Sequence, residues 1–262
     1  MQEISSVQNP IIKMATSLHD KKARNESGLF IIEGFKGVED ALNFGLEITH
    51  IFLNCSRIEK IKEYPKNLLY MVNDRILKKI STTDSPPDII AVAKQFNYNI
   101  NDILTEQNPI IIAIEDIKDP GNLGTIIRTA KAAGISGIIL TGETADIFNP
   151  KTVRASAANL WKIPIIHLKE KAKLKELLRT DKPFQFISTS LASKNSKTYF
   201  EIDYKQPSVI IFGSEATGIS SELNNLADIN IKIPMNPEIE SLNLSVSVGI
   251  ILYEALRQRK NL

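Results

Sequence analysis

The sequence predicts an α/β protein in which a parallel sheet forms the C-terminal part and a smaller α/β domain precedes it. From residue 110 onward, continuous apolar runs alternate with helix-like stretches, as in buried parallel strands joined by helices. The residues before position 97 show the same alternation with shorter runs. A polar segment without apolar periodicity separates the two parts, and a length of 262 residues is enough for two domains.

The first domain is predicted to span residues 1–97. Short apolar runs predict strands at 29–32, 48–53, 68–72 and 89–93. Residues 34–44 predict a helix, because Val38, Ala41 and Leu42 fall on one face, and a charged helical stretch follows at 58–63. The Ser, Thr and Pro residues of 81–87 predict a loop.

Residues 98–108 are predicted to be a linker, and residues 109–262 the second domain. Helices are predicted at 123–133, where Gly134 provides a stop, at 174–178 and at 244–257. The apolar runs that predict its strands lie at 110–114, 137–140, 163–166, 184–187, 209–212 and 229–233.

Composition excludes several classes of protein. No apolar run approaches the ~20 residues of a membrane span, and the start of the chain lacks the pattern of a signal peptide. The single Cys55 excludes an internal disulfide and indicates a reducing compartment, so a cytoplasmic location is predicted. The net charge of +2 does not indicate a broadly basic protein. Its local basic runs fit either solvated helix faces or phosphate contacts.

Three polar segments, two of which contain glycine, follow predicted strands or join them to helices, which is where α/β proteins place ligand-binding loops. They lie at 122–128, 213–218 and 233–245. No G-x-G-x-x-G pattern occurs, and Ile219 stands where a phosphate-binding loop requires lysine. The three histidines are widely separated, so no metal site is predicted. No G-x-S-x-G elbow indicates a serine hydrolase.

The polar residues of these segments also have ordinary structural explanations. Arg128 falls off the apolar stripe of its helix, as solvated arginines do, and Asn122 has the features of an N-cap. Glu215 could accept bonds from nearby backbone amides, while Ser241 and Asn243 could cap the final helix. Taken one at a time, none of these residues requires a function.

In combination, the three segments resemble the three motifs of the SpoU/TrmH family of RNA 2′-O-ribose methyltransferases. Asn122 and Arg128 match the first motif, and Gly213, Glu215 and Gly218 match the second. The third is matched by 233–235 and 241–245. Residues 30–34 and 38–42 are similar to the appended substrate-binding domain of that family, which has the L30e-like fold of a ribosomal protein.

The resemblance implies a SPOUT domain, that is, a parallel sheet with a trefoil knot that binds S-adenosylmethionine. It implies that Arg128 activates the ribose hydroxyl, either as a base or by orienting it, and that Asn122 holds Arg128. Glu215, Ser241 and Asn243 are expected to shape the catalytic site. The expected cofactor-binding residues are Thr189, Gly213, Gly218, Ile233 and Leu242.

The resemblance also implies a homodimer that acts on RNA, most simply ribosomal RNA, without a metal or a membrane. The predicted RNA contacts in the first domain are Lys13, Lys21, Lys22 and Arg24. The alternatives are a non-catalytic RNA-binding or ribosome-assembly protein on the same scaffold, and a transfer RNA 2′-O-methyltransferase. The modified nucleotide, and the choice between a housekeeping and an antibiotic-resistance role, remain open.

Overall fold

A computed structural model describes residues 2–178, 183–189, 196–214 and 217–260. The chain forms two compact units. The first comprises the chain up to Phe96 together with Asp146–Trp161. The second comprises Asn97–Ala145 together with the chain from Lys162 onward. Within the described residues, no helix is long and apolar enough to cross a bilayer.

The first unit has a mixed sheet. Its described strands follow the order β1-β4-β3-β5-β2, and β5 runs antiparallel to both of its neighbours. The four predicted strands are present. The structure adds the short strand β1, which pairs with β4 and whose three residues are too few to give a pattern in the sequence. The strands are β1 (Gln2–Ile4), β2 (Leu29–Glu33), β3 (Ile48–Asn54), β4 (Leu69–Val72) and β5 (Ile89–Lys94).

Side-chain caps mark the starts of three helices of this unit that the apolar pattern of the sequence did not indicate. Asn9, Asp20 and Asn73 each accept a backbone N–H of the helix that follows, which satisfies donors that a helix start leaves free. The charged stretch near 58–63 forms 3-10 turns within Cys55–Glu63. The α-helices are α1 (Pro10–Ser17), α2 (Lys21–Ser27), α3 (Phe35–Phe44) and α4 (Asp74–Ile80).

The second unit has a sheet in which every described strand pair is parallel, which confirms the predicted fold class. Its described strands follow the order β10-β12-β9-β11-β6-β7-β8. The trefoil knot stays a prediction. The strands are β6 (Ile110–Glu115), β7 (Gly137–Thr141), β8 (Ile165–Leu168), β9 (Gln185–Thr189), β10 (Lys197–Thr198), β11 (Ser208–Phe212) and β12 (Ile229–Lys232).

The predicted linker 98–108 proves to be part of the second unit. It contains a short helix whose Ile103 is fully buried, and a Cβ added to Gly137 would lie 2.5 Å from Ile103 Cγ1. Glycine at 137 therefore lets this helix pack closely on β7. The α-helices from this point on are α5 (Ile100–Ile103), α6 (Pro120–Ala132), α7 (Pro150–Ala155), α8 (Leu174–Leu177), α9 (Ser221–Asn224) and α10 (Leu244–Lys260).

Residues 146–161 also depart from the predicted boundaries, because they belong to the first unit although the predicted second domain contains them. Their helix α7 packs on β2. Two ion pairs hold them: the guanidinium of Arg24 lies 2.6 Å from the carboxylate of Asp146, and that of Arg154 lies 3.0 Å from Glu33. The partners in each pair are more than 100 positions apart, so no local pattern indicates them.

Candidate functional site

The second unit has a cavity of about 330 Å³ where β9, β11 and β12 end. In a parallel sheet these carboxyl ends share one edge, and the loops that follow them enclose a crevice there. Six of the residues singled out in the sequence line the cavity, although they come from three separate segments. They are Thr189, Gly213, Gly218, Ser241, Ile233 and Leu242.

The loop after β11 folds back on itself. Ser214 and Gly218 exchange backbone hydrogen bonds of 3.1 and 3.0 Å, and the Ser214 hydroxyl lies 2.8 Å from that of Thr217. A Cβ added to Gly213 would lie 2.1 Å from the carbonyl carbon of Gly218, a distance that no side chain tolerates. Glycine is therefore required at 213 for the loop to close. Glu215 lies outside the described residues.

The third segment connects β12 to α10. Asn243 caps the first turn of α10, because its Oδ1 accepts the backbone N–H of Ser245 at 2.9 Å. Its Nδ2 donates to Oδ1 of Asn122 at 3.1 Å. The cap considered for Asn243 from sequence is thus present, and the same side chain joins the first motif to the third. The other predicted member of this segment, Ser241, lines the cavity two residues before the cap.

The first motif lies on α6, which begins earlier than predicted. Asp119 caps this helix by accepting the Asn122 N–H at 2.7 Å, and Pro120 occupies its first turn. The N-cap considered for Asn122 is therefore wrong, because Asp119 is the cap and Asn122 is the third residue of the helix. Arg128 is exposed and does not line the cavity. It forms no hydrogen bond or ion pair with any other residue that the structure describes.

The hydroxyl of Thr189 already has a partner within the sheet. Its Oγ1 donates to the carbonyl of Ile211 at 3.0 Å, which ties the end of β9 to β11. Thr189 therefore helps to shape the wall of the cavity from a fixed position. It can offer a ligand the lone pairs of its hydroxyl oxygen or its backbone groups.

A buried carboxylate that sequence reasoning missed holds the loop after β11. Glu115, only 2 % exposed at the end of β6, accepts the Ser220 N–H at 2.7 Å and the Lys171 ammonium at 2.5 Å. Burial alone would raise the pKa of Glu115, but the hydrogen bonds from Lys171 and Ser220 outweigh it and bring the pKa below its ordinary value. The pKa of Lys171 is raised by its hydrogen bond to Glu115. Both groups therefore stay charged near neutral pH.

The predicted RNA contacts in the first unit fall into two groups. Lys13, Lys21 and Lys22 are exposed, although Lys22 lies 3.9 Å from Glu26. Arg24 is only 1 % exposed, and it donates to Asp146 and to the carbonyls of two residues before α2. The prediction for Arg24 is wrong, because its guanidinium is enclosed by protein and donates four hydrogen bonds within it.

The described residues contain no group of three or more histidine, cysteine or acidic side chains that could hold a metal ion. Near the loop after β11, the charged side chains of Glu115 and Lys171 are paired with each other. The arrangement therefore offers a small-molecule cavity with backbone and hydroxyl groups on its walls. Its chemistry must come from a bound molecule and from the polar residues of its rim.

Comparison with protein families gives two matches. The description "SpoU rRNA Methylase family" matches residues 109–253. The description "MRM3-like substrate binding domain" matches residues 9–91. Together they cover most of the chain, and the gap between the two matches runs from residue 92 to residue 108.

Individual relatives agree with these matches. The chain is 30 % identical to the 23S rRNA (guanosine(2553)-2′-O)-methyltransferase RlmP of Bacillus subtilis, over 97 % of this chain and 98 % of that protein. It is 26 % identical to the 23S rRNA (uridine(2479)-2′-O)-methyltransferase of Streptomyces viridochromogenes, over 92 % and 87 % of the two chains. An AdoMet-bound rRNA methyltransferase from Sinorhizobium meliloti superposes with a TM-score of 0.88 at 37 % identity, over 97 % of each chain.

Proposed function

Since the chain belongs to the SpoU rRNA methylase family, we propose that it transfers a methyl group from S-adenosylmethionine to a ribose 2′-hydroxyl of ribosomal RNA. The observation that carries the proposal is that three segments distant in sequence meet at one cavity, with Asn122 and Asn243 hydrogen-bonded at its border. The relatives named above are 2′-O-methyltransferases of a guanosine and of a uridine, so the proposal leaves the base of the modified nucleotide unspecified.

The cavity has properties that suit this cofactor. Its volume lies in the lower part of the ~300–1,000 Å³ range of small-molecule sites, and its floor is apolar, with Phe212, Ile231 and Ile251. Gly213, Ile233 and Leu242 place backbone groups at the wall, where donors and acceptors can recognise an adenine edge. When bound, S-adenosylmethionine supplies an electrophilic methyl group on a sulfonium. The protein then has to present an oxygen nucleophile in line with it.

A ribose hydroxyl is a weak nucleophile, so the protein has to orient it and assist the loss of its proton. We assign this task to Arg128 by its place in the first motif. A guanidinium remains protonated near neutral pH. It can hold an RNA phosphate beside the reacting ribose, or it can donate to the hydroxyl oxygen and stabilise negative charge there. Asn122 and Asn243 form the fixed polar border against which the ribose would lie.

We further propose that two copies of the chain complete each site. Arg128 is exposed and does not line the cavity of its own chain, so an arginine from a second copy is the simplest source of that group. On α10, Val246 and Tyr253 are 49 % and 52 % exposed and lie seven residues apart, hence on one face. Because α10 packs on α6, this apolar face and Arg128 belong to neighbouring helices that one interface could cover.

The first experiment maps 2′-O-methyl groups in ribosomal RNA from cells with and without the protein, by resistance to alkaline cleavage. We expect one position to lose its methyl group, and we expect the purified protein to bind S-adenosylmethionine in calorimetry. Arg128→Ala should bind the cofactor as the wild type does and lose at least about 100-fold in methyl transfer. If no position loses its methyl group and no cofactor binds, the result favours the alternative, a non-catalytic RNA-binding protein. Equal turnover by Arg128→Ala would remove Arg128 from its assigned role.

The second experiment tests the shared site. Arg128→Ala and Gly213→Ala are each expected to be inactive alone, for different reasons. If sites form across two chains, a mixed dimer has one site with an intact Arg128 and an intact cofactor loop. Random exchange in an equal mixture then restores about a quarter of the wild-type activity. A mixture that exchanges subunits and stays inactive would place Arg128 in the site of its own chain.

A further inference from the structure

The first unit has an open, positively charged groove that none of the predicted motifs includes. It lies between α4 and the start of α1 and has a volume of about 560 Å³. Four cations and no carboxylate are found in its described lining. The lining consists of Val7, Gln8, Lys13, Arg75, Lys78 and Lys79.

Packing fixes the direction of these cations. Ile76, Leu77 and Ile80 of α4 are buried in the core of the unit, which turns the opposite face of the helix outward. That face carries the positions i, i+3 and i+4, which are neighbours on a helix surface, and here they are Arg75, Lys78 and Lys79. A rotation of α4 that turned these three charges away from solvent would expose its apolar side.

The charges of the groove are also uncompensated. Elsewhere in this unit, Lys60 lies 3.2 Å from Glu63 and Lys94 lies 2.5 Å from Glu47. Within the described chain, no ion pair is formed by the four cations of the groove. Like charges three or four positions apart weaken a helix. The dipole of α4 favours Lys78 and Lys79 in its last turn but not Arg75 near its start.

We propose that this groove binds consecutive phosphates of the RNA substrate, with Lys13 on one side and Arg75, Lys78 and Lys79 on the other. The inference rests on the proposed function, which makes RNA the polyanion that the protein meets. A membrane surface would also require apolar anchors, and the described lining contains only Val7 as an apolar residue. Phosphate contacts position RNA without reading its sequence, so the groove would set where the substrate lies rather than which base is methylated.

The structure therefore changes the predicted RNA contacts. On this proposal Lys13 stays an expected RNA contact, and α4 adds three cations that the sequence analysis did not single out. Lys21 and Lys22 on α2 do not line the groove.

The test is filter binding of the full-length protein to total ribosomal RNA from cells that lack it, over a series of KCl concentrations. Lys78→Gln with Lys79→Gln removes two charges from the groove. Lys62→Gln with Lys66→Gln removes two exposed charges from the same unit and serves as the matched control. Each phosphate contact contributes about one unit to the slope of log affinity against log salt. We expect the groove variant to bind about tenfold more weakly, with a slope smaller by about two, and the control to match the wild type.

Lys13→Gln, on a different helix, is expected to reduce the slope by about one. This variant keeps the test decisive if the double substitution disturbs α4. Equal effects of the groove and control variants, or no effect of either, would overturn the proposal, as would wild-type protein that binds anionic phospholipid vesicles but not RNA. Methyl transfer is measured in parallel. If RNA binding follows the groove and no methyl group is transferred, the proposed function fails while the groove stands.

Discussion

The sharpest prediction concerns Arg24, which the sequence placed among RNA contacts and the structure places in the interior. Its guanidinium donates to Asp146 at 2.6 and 2.9 Å and to the carbonyls of Leu18 and His19 at 2.8 and 2.9 Å. Arg24→Met removes all four bonds and keeps an unbranched side chain of comparable length. The substitution leaves an acceptor charge on Asp146 without its cation.

The expected loss of stability is large. Removing one partner from a buried ion pair costs about 3–5 kcal/mol, because the remaining charge stays buried without compensation. The side chain of Asp146 is 12 % exposed and still accepts the Phe148 N–H at 2.9 Å, so water and backbone stabilise it in part. We therefore expect the lower end of that range, about 3 kcal/mol of unfolding free energy.

The chain contains its own probe for this measurement. Trp161 is the only tryptophan, is fully buried, and ends the segment that belongs to the first unit. Its fluorescence during urea unfolding therefore reports the unit that contains Arg24. Lys21→Met, an exposed substitution on the same helix, is the control and should change the unfolding free energy by less than about 0.5 kcal/mol.

A double-mutant cycle identifies the pair. Asp146→Asn keeps an oxygen for the Phe148 N–H and removes the charge, so the cycle with Arg24→Met isolates the interaction between the two side chains. We expect a coupling of about 2 kcal/mol. Stability within about 0.5 kcal/mol of the wild type for Arg24→Met, together with weakened binding of ribosomal RNA, would refute the structural role and restore Arg24 as an RNA contact.

Two further predictions concern the cavity and its support. Gly213→Ala should abolish cofactor binding in calorimetry, because its Cβ would collide with backbone 2.1 Å away, whereas Gly249→Ala, with 3.8 Å of space, should bind normally; normal binding by both would show that the loop yields. Glu115→Gln should lower the free energy of unfolding at pH 7 and lower it much less near pH 3. The pKa of Glu115 is lower in the folded protein than in the unfolded chain, where it is ~4.3. The carboxylate therefore stabilises the fold above that pH, and it ceases to do so as the pH falls through the folded value. Urea midpoints at the two pH values measure this, and an equal loss at both would exclude the ion pair with Lys171 as the cause.

The strands of both units could be predicted from sequence because their signal is local. Continuous apolar runs such as 110–114 and 209–212 appear as fully buried parallel neighbours β6 and β11. The three polar loops follow from the same logic, since a polar segment after a buried strand lies at the edge of the sheet. The short helices α1, α2 and α4 were harder, because seven or eight residues give too few turns to establish a period.

The sequence could not predict that residues 146–161 belong to the first unit, because the contacts that hold them there join residues distant in sequence. Arg154 and Glu33 are 121 positions apart. The carboxylate of Glu33 also accepts hydrogen bonds from the hydroxyls of Ser81 and Thr82. Each of these side chains taken alone resembles an ordinary surface residue. Only the folded chain shows that their charges meet where solvent is excluded.

The same reasoning decides which basic residues are available to a substrate. Arg24, Arg128 and Lys78 all lie on helices, and the charge pattern of the sequence alone does not separate them. Arg24 is enclosed and bonded to protein, so RNA could reach it only at the cost of a buried pair. Arg128 and Lys78 are exposed and have no acidic partner among the described residues, so contact with a phosphate costs them no existing bond. Exposure and the absence of a partner, rather than charge alone, therefore support Arg128 at the ribose and Lys78 on the RNA backbone.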